Sequence, residues 1–85
     1  ANQRDIVRAL ERLGCSVIDL SRVGEGCPDL LVGRAGYCWP VEVKSKVGTL
    51  TDAQIEFRSK WRGPYVLVRD VDDVIEQFGR AGNRK

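Results

Sequence analysis

The sequence predicts a small α/β domain built around a mixed β-sheet, and three observations lead to that prediction. Apolar residues recur at helical spacing near both ends of the 85-residue chain. Short runs rich in Val, Ile and Leu lie between these ends, separated by Gly and Pro. A capping-box pattern introduces one more helix in the middle. The resulting order is helix, three strands, helix, strand and helix, which packs as helices against one sheet.

The chain opens with a predicted helix over residues 2–14. Ile6 and Leu10 share one helical face, and Gly14 supplies the stop signal. Residues 15–20 are predicted to form the first strand because they are rich in β-branched side chains.

The next segment is predicted to contain two strands joined by a short turn. Residues 21–28 carry two glycines and a proline and are expected to form a loop. Strands are predicted over 29–34 and 38–45, with a tight turn at 35–37. Pro40 cannot donate to a ladder, so it indicates an edge position or an irregular start for the third strand.

The central helix is predicted to follow a loop at 46–50 and to end near Arg62. Its start is marked by Thr51 and Gln54, which match the capping box S/T-x-x-E/Q. Residues 65–69 are continuously apolar up to the final arginine. That pattern predicts a strand buried on both faces, as in the middle of a covered sheet.

The last helix is predicted over residues 70–79, with Asp70 as its N-cap. Its apolar stripe has the spacing i, i+3, i+4, i+7 and consists of Val71, Val74, Ile75 and Phe78. The single domain is therefore expected to span residues 1–79. Residues 80–85 form a basic, frayed C-terminal tail in this interpretation.

Composition excludes several classes of chemistry. The chain has no histidine, so Ser-His-Asp and Cys-His catalysis and histidine-bound zinc are excluded. Its three cysteines include no CxxC pair and predict reduced thiols in the cytosol rather than disulfides. No apolar run reaches the roughly 20 residues of a membrane span. A net charge of +2 does not by itself indicate nucleic acid.

Charged side chains in two of the predicted strands indicate a metal-dependent site. Glu42 and Lys44 are two residues apart and would project from the same face of an extended strand, near Asp29. Two acids and a lysine at one sheet edge suit metal-assisted attack of water on a phosphodiester. Each residue also has a structural interpretation: Asp29 as a turn residue, and Glu42 with Lys44 as a solvent-facing ion pair on an edge strand.

The spacing Pro28-Asp29 followed by Glu42-Val43-Lys44 resembles the PD-(D/E)xK motif of restriction-endonuclease-like nucleases. The segments GCPDLLVG and VEVK, with a glutamine in the next helix, are most similar to the virus-type replication-repair nuclease (VRR-NUC) family. The similarity extends over roughly residues 4–78. It implies a restriction-endonuclease-like αβββαβ(α) core, with a mixed four-stranded sheet flanked by helices.

The resemblance also implies a set of site residues. Asp29, Glu42 and the Val43 carbonyl would bind Mg²⁺ or Mn²⁺, and Lys44 would orient the attacking water. Gln54 matches the helix glutamine that completes the family's site, although it is equally the capping-box residue. Many relatives carry a glutamate in the first helix, where this chain has Gln3, a neutral candidate ligand.

The activity implied is that of a structure-selective DNA endonuclease resembling Holliday-junction resolvases. Such an enzyme would act on four-way junctions as a homodimer, in the cytosol of a bacterium or of a phage-infected host. The candidate DNA-binding residues are Ser21, Arg22, Lys46, Arg58, Lys60 and Arg62, with Glu25 as a further loop candidate. The basic residues near the end of the central helix are equally explained by the helix dipole. The alternatives are a catalytically weak nucleic-acid-binding module, a flap- or end-directed nuclease, and a purely structural domain.

Overall fold

The computed structural model describes residues 2–79 and has the predicted order of helices and strands. The elements are α1 (Gln3–Arg12), β1 (Ser16–Asp19), β2 (Leu30–Arg34), β3 (Tyr37–Val43), α2 (Asp52–Lys60), β4 (Val66–Val68) and α3 (Val71–Val74), which continues into a π-helical turn (Ile75–Gly79). The α/β class is therefore confirmed. The predicted basic tail at 80–85 lies outside the described residues. None of the helices in residues 2–79 has the length and apolarity that crossing a membrane requires.

The four strands form one mixed sheet in the order β1-β2-β3-β4. The first two pairings are antiparallel and the pairing of β3 with β4 is parallel. A two-residue turn joins β2 to β3. Arg34 pairs with Tyr37, and the two residues between them, Ala35 and Gly36, both have positive φ. That backbone geometry matches the twist of a hairpin.

The hydrophobic core lies on one face of the sheet, between the strands and the two terminal helices. Alternation along the strands places Leu30, Val32 and Val41 on this face, and all three are fully buried. Two helices cover them with the buried side chains Ile6, Leu10, Val74 and Phe78. The opposite face is therefore where the even-numbered residues of β3, including Glu42, project.

The expected edge position of Pro40 is wrong, because β3 lies between β2 and β4. The Lys44 N–H donates to Val68 on the β4 side, whereas the Val43 N–H points toward β2. The nitrogen of Pro40 therefore lies on the β4 side, four residues before Lys44. Pairing with β4 begins only at Val41, so the ladder never needs the missing Pro40 donor.

The expected central position of the last strand is also wrong, because β4 is an edge strand. Val68 is buried, but Val66 and Leu67 are only half-buried. Continuous apolarity does not distinguish a three-residue edge strand from a central strand. The short length of β4 leaves little edge exposed for pairing with other chains.

The last helix begins after Asp70 and ends at Gly79 as predicted, but its second half is π-helical. The Asp70 side chain accepts a hydrogen bond from the Asp73 N–H, which confirms it as the N-cap. The helix then widens into the π-helical turn, which leaves Ile75 exposed while Phe78 stays buried. Arg34 donates to the Phe78 carbonyl at 2.6 Å and so ties this end to β2.

Backbone contact between the loop before β2 and the first turn of α2 positions that helix. Gly24, Glu25 and Gly26 all have positive φ, so the loop folds back sharply. A Cβ atom on Gly26 would lie 2.0 Å from the Ala53 carbonyl oxygen, whereas one on Gly24 would meet no atom within 4 Å. Only glycine at position 26 permits this approach of loop and helix.

Substituting these two glycines separately should distinguish backbone strain from steric contact. Both have φ near +80°, so each change to alanine costs about 1–2 kcal/mol of left-handed strain. Gly26→Ala should lose roughly 1–3 kcal/mol more, because the new methyl group displaces the Ala53 backbone. Urea unfolding followed by circular dichroism measures both variants, and equal losses would contradict the close approach.

Candidate active site

The register of the antiparallel pair β2–β3 brings two carboxylates together at one end of the sheet. Leu30 pairs with Val41, so the preceding residue, Asp29, lies opposite Glu42. The Asp29 carboxylate also accepts a hydrogen bond from the Val43 N–H at 2.9 Å. The side chain of Asp29 thus acts as the acceptor at a position just before β2 begins. This contact spans the two strands, so Asp29 is not merely a local turn residue.

Glu42 is the one buried charged side chain among residues 2–79, with 1% of its surface exposed. Its Oε2 atom accepts a hydrogen bond from Gln54 Nε2 at 3.1 Å. Its Oε1 atom is buried and has no hydrogen-bond partner within the described part of the chain. The interpretation of Glu42 as a solvent-facing residue on an edge strand is therefore wrong.

The environment of Glu42 favours its protonated form in the metal-free protein. Burial raises the pKa of Glu42 to about 8, helped by a hydrogen bond with Asp29 and by the Asp29 charge. The nearby charge of Lys44 acts in the opposite direction. A desolvated carboxyl group beside a second carboxylate thus favours retention of the proton on Glu42, which a bound cation would displace.

Gln54 combines the two roles that its sequence pattern left open. Its Oε1 accepts from the Thr51 N–H at 2.8 Å, while the Thr51 hydroxyl accepts from the Gln54 N–H, so the predicted capping box is present. Its Nε2 remains available and donates to Glu42. The residue that starts α2 therefore also orients the buried carboxylate.

The loop that follows Lys44 is held by Arg69, which lies just after β4. The Arg69 guanidinium donates to the carbonyls of Ser45, Lys46 and Gly48, at 2.6, 3.4 and 2.7 Å. The Arg69 N–H donates in turn to Asp73 at the start of α3. This arginine gives the segment after Lys44 a defined path without a strand or helix of its own.

The donor set suits a small hard cation. Residues 2–79 contain no group of three or more His, Cys, Asp or Glu side chains that could hold a metal. The site therefore offers two carboxylates, those of Asp29 and Glu42. Magnesium commonly uses one or two carboxylates and keeps several waters. The unpartnered Oε1 of Glu42 is an orphan acceptor of the kind that such an ion satisfies. The Val43 carbonyl points to the same side as its N–H, toward Asp29.

Gln3 remains a predicted ligand without a contact to support it. It is the first residue of α1, a helix that packs on β1 and α3. Within residues 2–79, no hydrogen bond joins Gln3 to Asp29, Glu42 or Gln54.

The candidate DNA-binding residues are spread over three segments and have different partners. Ser21 forms a local turn with Asp19, and Arg22 beside it is exposed. Lys46 is exposed in the loop after Lys44. On α2, Lys60 pairs with Glu56 at 2.7 Å, whereas the Arg58 guanidinium lies 4.9 Å from the centre of the Tyr65 ring. Arg62 is exposed just beyond that helix, and Glu25 is exposed opposite it.

Sequence analysis missed three residues close to the site. Burial is the main cause that raises the pKa of the Cys27 thiol and of the Tyr65 hydroxyl. The nearby charges of Glu42 and Asp29 raise both pKa values further. Arg69 was missed as the residue that holds the loop after Lys44. The glycines flanking Glu25 indicated a special loop, but no local pattern indicated that Tyr65 or Arg69 would reach this end of the sheet.

Comparisons of the chain with protein-family models, with curated proteins and with solved structures found no match.

Stability of the metal-free protein should fall as pH rises through neutrality. The pKa of Glu42 is about 8 when folded against 4.5 for an ordinary glutamate. The folded state therefore binds the Glu42 proton more tightly than the unfolded state does. This difference adds to the free energy of unfolding below pH 4.5, and the added stability is lost as pH rises toward 8. The loss should amount to several kilocalories per mole, at about 1.4 kcal/mol for each pKa unit.

Urea unfolding between about pH 5 and pH 9 in EDTA measures this dependence over most of the window from 4.5 to about 8. Glu42→Gln should flatten the profile, whereas the exposed Glu11→Gln should leave it as in the wild type. A wild-type profile that rises with pH would contradict the assigned burial of the carboxyl group.

Gln54→Glu should separate the two roles of this residue. Glutamate preserves the capping box, so the helix content should be unchanged by far-UV circular dichroism. It replaces the donor to Glu42 by a third carboxylate, which should lower the free energy of unfolding at pH 8 by about 1–3 kcal/mol. Gln77→Glu, at an exposed position, is the matched control. Equal free energies of unfolding for Gln54→Glu and the wild type would show that the hydrogen bond to Glu42 does not stabilise the folded state.

Proposed function

We propose that this protein is a metal-dependent, structure-selective DNA endonuclease of the VRR-NUC type, acting on branched DNA such as four-way junctions. The observation that carries the proposal is the meeting of Asp29, Glu42 and Gln54 at one end of the sheet, with Lys44 on the same strand face as Glu42. The element order α1-β1-β2-β3-α2-β4 and the mixed sheet agree with the restriction-endonuclease-like core that the motif implies.

In this proposal the carboxylates of Asp29 and Glu42 and the Val43 carbonyl hold Mg²⁺ or Mn²⁺. The ion, when bound, supplies an acidified water and neutralises charge on the phosphodiester. Gln54 engages Oε2 of Glu42, and Oε1, which has no hydrogen-bond partner among residues 2–79, is the oxygen left for the ion. Lys44, on the same face, orients the attacking water and offsets the negative charge that develops on the phosphate.

The proposed partners are DNA and a second copy of the chain. The exposed basic residues Arg22, Lys46 and Arg58 provide contacts to phosphates that are independent of sequence and sensitive to salt. On the sheet face opposite the core, Ile18 is 57% exposed and Cys38 is exposed, so a symmetric partner would cover apolar surface there. The proposed location is the cytosol of a bacterium or of a phage-infected host.

The second candidate function is a DNA-binding module with weak or no catalysis. The observation that favours it is the carboxylate count: within residues 2–79 only Asp29 and Glu42 converge, and Gln3 stands where the VRR-NUC resemblance implies a glutamate. Such a module would bind DNA in a salt-dependent way, and its binding would not change when Asp29 is replaced.

Cleavage of a labelled four-way junction and of a linear duplex of matched sequence tests the proposal. With Mg²⁺ or Mn²⁺ the wild-type protein should nick the junction symmetrically, and EDTA should stop the reaction. Asp29→Ala should abolish cleavage, and Lys44→Ala should reduce the rate by at least ~100-fold, since each removes a group that stabilises charge in the transition state. Asp72→Ala, an exposed residue on α3, is the matched control.

Three other outcomes have defined meanings. A junction that is bound but never cut with either ion, and is bound equally by Asp29→Ala, supports the DNA-binding module. Cleavage confined to flaps or free ends keeps the chemistry and corrects the substrate. Absence of both metal binding and DNA retention at low salt contradicts the nuclease and supports a structural domain.

A further inference from the structure

Tyr65 carries a buried hydroxyl group and lies on the same sheet face as Glu42. The parallel register pairs Val66 with Val41, so Tyr65 lies one step earlier, beside Pro40 and on the sheet face of Glu42. The tyrosine is half-buried as a whole, but its phenol oxygen is buried and has no hydrogen-bond partner among residues 2–79. Buried hydroxyl groups are normally paired, so this atom requires an explanation.

Two unpartnered polar atoms with opposite requirements therefore lie in one site. Tyr65 offers a donor without an acceptor, and Glu42 Oε1, which also lacks a partner, becomes an acceptor for a cation once Glu42 has lost its proton. The charges of Glu42 and Asp29 both act on Tyr65, so the phenol lies within electrostatic reach of the two carboxylates. A ligand that satisfies both atoms must present a cation to Glu42 and an oxygen acceptor to Tyr65.

Arg58 indicates the charge of the group that the phenol contacts. Its guanidinium lies over the Tyr65 ring, 4.9 Å from the centroid. The salt bridge on α2 joins Lys60 to Glu56, and Arg58 forms none with residues 2–79. Positive charge on the ring face, next to a free O–H donor, favours an anionic oxygen over a neutral acceptor.

We propose that Tyr65 is a substrate-binding residue whose O–H donates to a non-bridging oxygen of the phosphodiester held beside Asp29 and Glu42, with Arg58 flanking the same phosphate. This inference rests on the proposed nuclease function and names the side chain that positions its substrate. Donation of a hydrogen bond leaves the covalent structure of Tyr65 unchanged. The phosphate also brings its cation to Glu42 Oε1, so both unpartnered atoms acquire partners together.

Tyr65→Phe tests the inference, with the chain's other tyrosine as its control in Tyr37→Phe. Three quantities are measured on each variant: the free energy of unfolding without DNA, the affinity for Mn²⁺ by electron paramagnetic resonance, and kcat/KM for the DNA that the wild type cleaves. Tyr65→Phe should lower kcat/KM by about 10- to 100-fold, the effect of losing one hydrogen bond to a charged group. Its Mn²⁺ affinity should stay within about twofold, because Tyr65 is not a metal ligand in the proposed site.

Stability separates substrate binding from a structural role. The hydroxyl has no partner in the DNA-free protein, so its removal should leave the unfolding midpoint unchanged or raise it. Cleavage by Tyr65→Phe at the wild-type rate would overturn the inference while leaving the nuclease proposal intact. A rate loss that merely parallels a loss of stability or of Mn²⁺ affinity would overturn it as well. A wild-type protein that cleaves no DNA overturns the nuclease proposal itself, and the role of Tyr65 with it.

Discussion

Burial of the Glu42 carboxylate, near the end of the interior strand β3, is the constraint on which the arrangement of the candidate site depends. A carboxylate with 1% of its surface exposed loses its hydration and must find partners in the protein or in a ligand. Asp29 reaches it through the strand register, Gln54 through a helix start, and Lys44 through its position two residues later. The loop at Gly26 makes this possible, because its contact with Ala53 brings α2 over the strand end.

One side chain, Gln54, both caps α2 and orients the buried carboxylate of the candidate site. The Gln54 side chain has one acceptor and one donor group to use, and the Thr51 N–H and the Glu42 carboxylate take one each. Folding of α2 therefore sets the orientation of Glu42 without any additional polar residue. A helix with no buried residue of its own in this way supplies a direct hydrogen bond to the buried carboxylate through the Gln54 amide group.

Local rules predicted the elements because their signals are local. Thr51 and Gln54 marked the start of α2, and the two-residue separation of Glu42 and Lys44 placed both on one strand face. Sheet order could not be derived in the same way: β4 is apolar enough for a central strand, and Pro40 is tolerated centrally because its nitrogen faces a gap in the ladder. Tyr65 entered the site through the β3–β4 register, which depends on pairing between distant segments.

Arg69 connects the segment after Lys44 to the rest of the molecule through its guanidinium group alone. This one side chain donates hydrogen bonds to three backbone carbonyls. Without it, those carbonyls would need donors from a neighbouring strand, a helix or water. These hydrogen bonds from one side chain therefore offset part of the conformational entropy that the segment loses on folding. The segment can be released or fixed as a unit while every hydrogen bond of the sheet stays in place, so order in the loop and order in the sheet are thermodynamically separable.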